Sequence, residues 1–370
     1  MARPVYLDYN ATAPLRPEAA AALEAALREA GNPSSVHGFG RRARRRVEDA
    51  REAVAALVGA RPAGVVFTGG GSEANNLALA GLPAGRILVS AIEHDSVLQA
   101  APEARRLPVD AAGRIELDAL AEALAEGDGA DGPTLVSVML ANNETGVIQP
   151  VAEVAALARA RGALVHCDAV QAAGRLDIDL GALGVAALSL SAHKLGGPQG
   201  AGALVLAEGV AVAPLIRGGG QERRRRAGTE NVPAIAGFGA AAEALRAAPK
   251  PDPELAGLRD GLEARLRALA PELVIFGADA PRLANTSCFA LPGLPAETQL
   301  LALDLAGIAV SSGAACSSGK VEPSHVLRAL GAEAETAAAA IRVSLGWATT
   351  AEDLDRFIEA WDGLYRRRAA

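Results

Sequence analysis

Aromatic residues are scarce, at 3% of the 370 residues. Any core must therefore be built mainly from Ala, Leu and Val, and a hydrophobic share of 50% supplies it and excludes a mainly disordered chain. Cysteine is scarce too. Cys167, Cys288 and Cys316 form an odd set without a Cys-x-x-Cys pair, which argues against a disulfide framework or a structural zinc. His37, His166 and His325 show no metal-ligand spacing, so no metal site is assigned. No uncharged apolar run is long enough to span a bilayer, and the first residues lack the apolar core of a signal peptide. Basic residues are outnumbered, 36 Lys and Arg against 43 Asp and Glu, for a net charge of −7. Broad nucleic-acid binding needs a basic face, and the Arg runs at 41–46 and 366–368 read instead as a solvated helix face and a tail. The expectation is a reduced, cytoplasmic protein with neither a membrane nor a nucleic-acid partner.

At about 150 residues per domain, the length predicts two or three domains. Pro17 suits the first position of an Ala-, Leu- and Glu-rich helix over 17–30, which stops at Gly31-Asn32-Pro33. A second helix is predicted over 40–58, with Val47, Ala50, Val54, Leu57 and Val58 on one face. The period then changes. Short apolar runs at 64–67, 86–89, 134–140, 163–167, 186–190 and 202–206 read as strands, the earlier ones separated by helices. Near-continuous apolar strands of this kind predict an α/β layer, with a mostly parallel sheet covered on both faces. Ligands bind outside the carboxyl ends of such strands. Three prolines at 249, 251 and 253 mark a boundary. Beyond it a smaller α+β domain is predicted, ending in a helix that carries Leu354, Phe357, Ile358, Trp361 and Leu364.

Three strand ends carry chemistry. Thr68-Gly69-Gly70-Gly71-Ser72-Glu73 opens a helix, whose free N–H groups and dipole suit a phosphate; a plain strand-to-helix turn fits as well. Asp168 follows a buried strand, either as a local cap or as a partner for a cationic ring nitrogen. Ser191-Ala192-His193-Lys194 places a lysine at another strand end, and a desolvated lysine is an amine nucleophile. A phosphate cradle, an acid and a lysine in one α/β domain are what pyridoxal phosphate requires.

The sequence resembles the group I cysteine desulfurases of the class V aminotransferase family, which are fold type I pyridoxal-phosphate enzymes. The resemblance runs through Tyr6-Leu7-Asp8-Tyr9-Asn10-Ala11-Thr12, Gly31-Asn32-Pro33-Ser34-Ser35, Glu93-His94 and Asn142-Asn143-Glu144-Thr145-Gly146. It continues in Asp168-Ala169-Val170-Gln171, Ser191-Ala192-His193-Lys194, Gly218-Gly219-Gly220-Gln221-Glu222-Arg223 and Gly228-Thr229-Glu230-Asn231. Its most discriminating part is Ser311-Ser312-Gly313-Ala314-Ala315-Cys316-Ser317-Ser318-Gly319.

This resemblance implies a seven-stranded, mostly parallel sheet in a large domain over 15–248. A small domain over 1–14 and 249–370 would carry the cysteine loop. It implies that Lys194 forms the Schiff base, Asp168 pairs with the pyridinium nitrogen, Gln171 bonds the ring hydroxyl, and His94 stacks on the ring and moves protons. Gly71, Ser72, Ser191 and His193 would hold the phosphate, joined by Thr229 from a neighbouring subunit, hence a homodimer. Asn143 and Arg342 would hold the carboxylate of L-cysteine. Cys316, on a segment of small and polar residues able to swing, would take the sulfur as a persulfide, leaving L-alanine. A sulfur-acceptor protein, an iron–sulfur scaffold or a tRNA-modifying partner, would then receive it. A selenocysteine lyase, or another class V lyase or aminotransferase, would share Lys194 and Asp168 without needing a loop cysteine.

Overall fold

The computed structural model describes residues 3–126, 132–248, 250–312, 316–317, 320–321 and 324–369. Its centre is a seven-stranded sheet. Across it run Val65–Thr68, Gly202–Leu206, Ala187–Ser191, Leu164–Asp168, Thr134–Ser137, Arg86–Ser90 and Arg105–Leu107. Gly202–Leu206 is antiparallel to both its neighbours, and every other pair is parallel. Helices cover both faces, as a layer of buried strands requires. Gly38–Leu57, Leu117–Ala125, Val151–Ala160 and Val232–Arg246 pack on one face, and Gly71–Gly81 packs on the other.

The predicted runs lie on observed strands, with instructive differences. The 134–140 run is a strand only to Ser137; its last residues leave the ladder, and Met139 lends its N–H to the Glu93 carboxylate. The first helix ends at Leu27 rather than residue 30. The second starts at Gly38, because the His37 Nδ1 accepts from the Gly40 N–H and caps it. The edge strand Arg105–Leu107 escapes an apolar-run criterion because its sequence is Arg-Arg-Leu. Mid-sheet, His166 is wholly buried between the hydroxyls of Ser137 (2.9 Å) and Ser189 (2.8 Å). Burial pushes its pKa down to about 4, so it is a neutral packing residue.

A second layer gathers around Thr286–Ala290, which pairs antiparallel with Ala340–Ser344 and Val274–Ile275. Helices Pro253–Leu269, Ala296–Leu305 and Ala351–Ala369 cover it. Several of the few aromatics concentrate here, with Phe289 packed edge-on to Phe357 and Trp361. The N-terminal Val5–Tyr6 pairs parallel with Ile308–Ala309, so the start of the chain belongs to this layer. From there residues 8–13 run back across the carboxyl ends of the large sheet, where the Ala13 N–H bonds the His193 carbonyl.

Candidate active site

The carboxyl ends of the central strands open into a cavity of about 710 Å³. Gly71, Ser72, His94, Asn143, Asp168, Gln171, Ser191, His193, Lys194 and Arg342, all singled out from sequence, line it. Two candidates stand apart. Thr229 is exposed and is not among the residues lining this cavity in its own chain. The backbone at Cys316–Ser317 pairs antiparallel with Lys320–Val321, while the side chain of Cys316 lies outside what the structure describes. Both flanks of that segment are at the cavity, since Ser311 and Ser324 line it.

Lys194 sits on the turn that leaves Ala187–Ser191. Its Nζ donates to the carbonyls of Asn10 (2.6 Å) and Ala11 (3.0 Å). Burial, reinforced by the Arg342 and Arg175 guanidinium groups, lowers its pKa to about 8. Asp168 ends the adjacent strand and is buried. One carboxylate oxygen accepts the Val170 N–H at 2.9 Å, the local cap expected of Asp; the other accepts the Asn75 amide at 2.7 Å. Asn75 also donates to the Ser96 hydroxyl (2.9 Å), which meets the His94 Nδ1 at 2.8 Å. A hydrogen-bonded chain thus runs from the carboxylate on the cavity floor to the imidazole at its rim. The Ser96 N–H donates to the same Nδ1 at 3.1 Å, which puts the proton of the neutral His94 ring on Nε2.

The phosphate cradle is physical. At Gly71 a Cβ would lie 2.8 Å from Val170 Cγ2 and 3.3 Å from Ser191 Cβ, so a side chain would crowd the turn. The first N–H groups of the Gly71–Gly81 helix and the Ser72 and Ser191 side chains gather there, close to His193. His193 meets the Thr12 hydroxyl at 3.2 Å, and burial beside Lys194 lowers its pKa to about 4, so it is a neutral donor. Across the cavity, Arg342 donates to the Asn143 carbonyl (2.9 Å) and to Asp8 (2.7 Å). Its Nε is buried without a partner, a donor still available to an anion.

Sequence reasoning assigned no role to Asp8, Asn10, Asn75, Glu93 or Arg175. Asn10 is the hub. Its carbonyl accepts from Lys194 and from Gln171, while its side chain bonds the Asn143 carbonyl, Thr286 and Asn285. Glu93 is wholly buried; desolvation drives its pKa well above the usual carboxylate range, and one of its oxygens has no partner.

The class V aminotransferase family profile matches residues 5–357. The chain belongs to that family. A relative from Cereibacter sphaeroides named cysteine desulfurase is 46% identical over 96% of this chain and 94% of its own. An IscS-like cysteine desulfurase of Mycobacterium tuberculosis is 41% identical over 98% and 96%. Among solved structures, a NifS-like protein from Rickettsia africae superposes with a TM-score of 0.89 at 34% identity, covering 98% of this chain and all of the other. SspA, solved in complex with cysteine, gives 0.79 at 29% identity over 92% and 98%. Class V aminotransferases work with pyridoxal phosphate, and this site fits that group: an anion cradle free of a Cβ, a buried carboxylate at a strand end, and a lysine whose amine is easily deprotonated.

Proposed function

We propose that this chain is a pyridoxal-phosphate-dependent cysteine desulfurase that converts L-cysteine to L-alanine and keeps the sulfur as a persulfide on Cys316. The observation that carries the reading is one cavity holding Lys194 and Asp168 on adjacent strand ends, faced by Arg342 from the second layer. On this reading, residues 15–248 hold the cofactor, and residues 1–14 and 249–370 supply the substrate wall and the cysteine.

When bound, the cofactor supplies an electron sink that makes the substrate Cα proton removable and stabilises the pair left by Cβ–S cleavage. The chain supplies the rest. The Gly71–Ser72 turn, Ser191 and His193 would hold the phosphate, and the Asp168 carboxylate would keep a proton on the ring nitrogen. Lys194, with a pKa near 8, has a substantial neutral fraction in mildly alkaline solution, so its Nζ is the group that would hold the cofactor's aldehyde carbon and that can take up the substrate Cα proton. Arg342 and Asn143 fix the substrate carboxylate. The Cys316 thiolate forms an S–S bond to the substrate sulfur as the Cβ–S bond breaks; the bonding pair stays on carbon. Two protons complete alanine, one delivered to Cβ and one returned to Cα, from the protonated Lys194 Nζ or the protonated His94 ring.

Thr229, exposed in its own chain, is suited to the phosphate of a second copy, which makes the working unit a homodimer. A sulfur-acceptor protein then takes the persulfide sulfur. The deciding experiment gives protein loaded with pyridoxal phosphate a single portion of L-cysteine. We expect one alanine per persulfide, with the mass of one sulfur atom added to the peptide containing Cys316. Alanine formed at full rate by Cys316→Ala would remove the nucleophile assignment.

A further inference from the structure

The orientation of one amide in the cavity is set by a residue with no assigned role. Gln171 makes two kinds of side-chain contact. Its Oε1 accepts from Arg175 Nη1 at 2.7 Å, and its Nε2 donates to the Asn10 carbonyl at 3.0 Å. The same Nη1 donates to the Gln171 backbone carbonyl at 2.6 Å, so both its hydrogens are spent on one residue. A guanidinium only donates and a backbone carbonyl only accepts. The amide therefore has one permitted orientation, in which a second Nε2 hydrogen is left for the cavity that Gln171 lines.

We infer that Arg175 is a positioning residue that locks the Gln171 amide as a donor toward the ring oxygen of the cofactor and so holds that oxygen in its ionised form. A hydroxyl at that place would face an N–H and have to donate elsewhere; an ionised oxygen accepts the bond. With Arg175 removed, only the Asn10 carbonyl still favours that orientation, and the amide can turn over at the cost of that one hydrogen bond to accept from a neutral hydroxyl. The inference rests on the pyridoxal-phosphate reading above. It adds a role for Arg175 in setting which protonation state of the bound ring is favoured.

The test reads the colour of the bound cofactor rather than turnover. The ionised ring oxygen gives the visible, yellow band, and the neutral hydroxyl gives a near-ultraviolet band. At one fixed pH, R175M should raise the near-ultraviolet share relative to the visible by roughly fivefold, the weight of one hydrogen bond. R175K, which restores a cationic donor, should recover most of the yellow band. Q171E keeps the tie to Arg175 but has no N–H to offer, and should shift the bands as R175M does. In R175M/Q171L the ratio should match that of Q171L alone, because Arg175 acts through the amide. Unchanged ratios in both R175M and Q171E overturn the inference, and so does a further shift in the double variant. Wild-type protein that never turns yellow with pyridoxal phosphate would instead sink the cofactor reading itself.

Discussion

The cavity has a floor and a wall built on different principles. The floor residues Asp168, Ser191 and Lys194 lie at or just beyond the ends of two adjacent buried strands, so the ladder fixes their spacing. The wall residues Asn10, Asn143 and Arg342 come from connections and the second layer. They are placed by hydrogen bonds spanning most of the chain: Asn10 to Thr286, Arg342 to Asp8, Arg342 to the Asn143 carbonyl. A ladder gives precision to groups that hold one partner permanently. Cross-ties between layers give a surface whose hydrogen bonds can be exchanged, which on the proposed reading suits a group that binds and releases a substrate carboxylate. The floor should therefore govern cofactor retention and chemistry, and the wall should govern substrate affinity.

The sharpest break of that contrast is Lys194→Ala. It should abolish the yellow band and lower turnover by at least about 10⁴-fold, as loss of a covalent catalyst does; retained turnover would remove the floor from the chemistry. Arg342→Ala should raise the KM for cysteine by roughly 10- to 100-fold, the worth of a charge-assisted bond, with cofactor retention unchanged. Equal loss of both would erase the distinction between wall and floor. Asn75→Ala cuts the chain between Asp168 and His94 and should lower kcat by about tenfold while leaving KM alone; a KM effect would place Asn75 with the wall. The smallest effect concerns pH. The folded pKa of Lys194 lies below its ordinary value, so the amine becomes neutral as pH rises through about 8. Capture of pyridoxal phosphate by the empty protein should climb across that range and then level off. In Arg342→Ala the midpoint should move upward, because a cation that lowers the lysine pKa is gone.

The floor was legible in the sequence and the wall much less so. Apolar runs ending in Asp168 or in Ser191-Ala192-His193-Lys194 announce a buried strand and a group at its carboxyl end, because both signals lie within a few residues. Arg342 and Asn143 emerged only through resemblance, since nothing near them in the chain shows that they meet. Asn75 lies within an ordinary helix, and its importance comes from Asp168 and Ser96, which no local pattern links to it. Arg175 looks like a solvated loop residue until Gln171 is seen to occupy it. The edge strand Arg105–Leu107 was hidden for the opposite reason: pairing on one side only lets it stay polar.

The antiparallel strand next to the edge of an otherwise parallel sheet has a bearing on how this molecule tolerates change. A parallel pair needs a long crossover, whose length drifts without moving the strand ends. Lys194 sits instead on the return 192–201 between Ala187–Ser191 and Gly202–Leu206, where the Ala192 N–H is bonded to the Ala201 carbonyl at 3.0 Å. Both ends of that return are pinned, so a residue added on its largely buried stretch 192–198 would press directly on the position of the amine, and only the exposed Gln199–Gly200 end has room to bulge. Insertional variation should accumulate on the far rim of the molecule and stop abruptly at this corner.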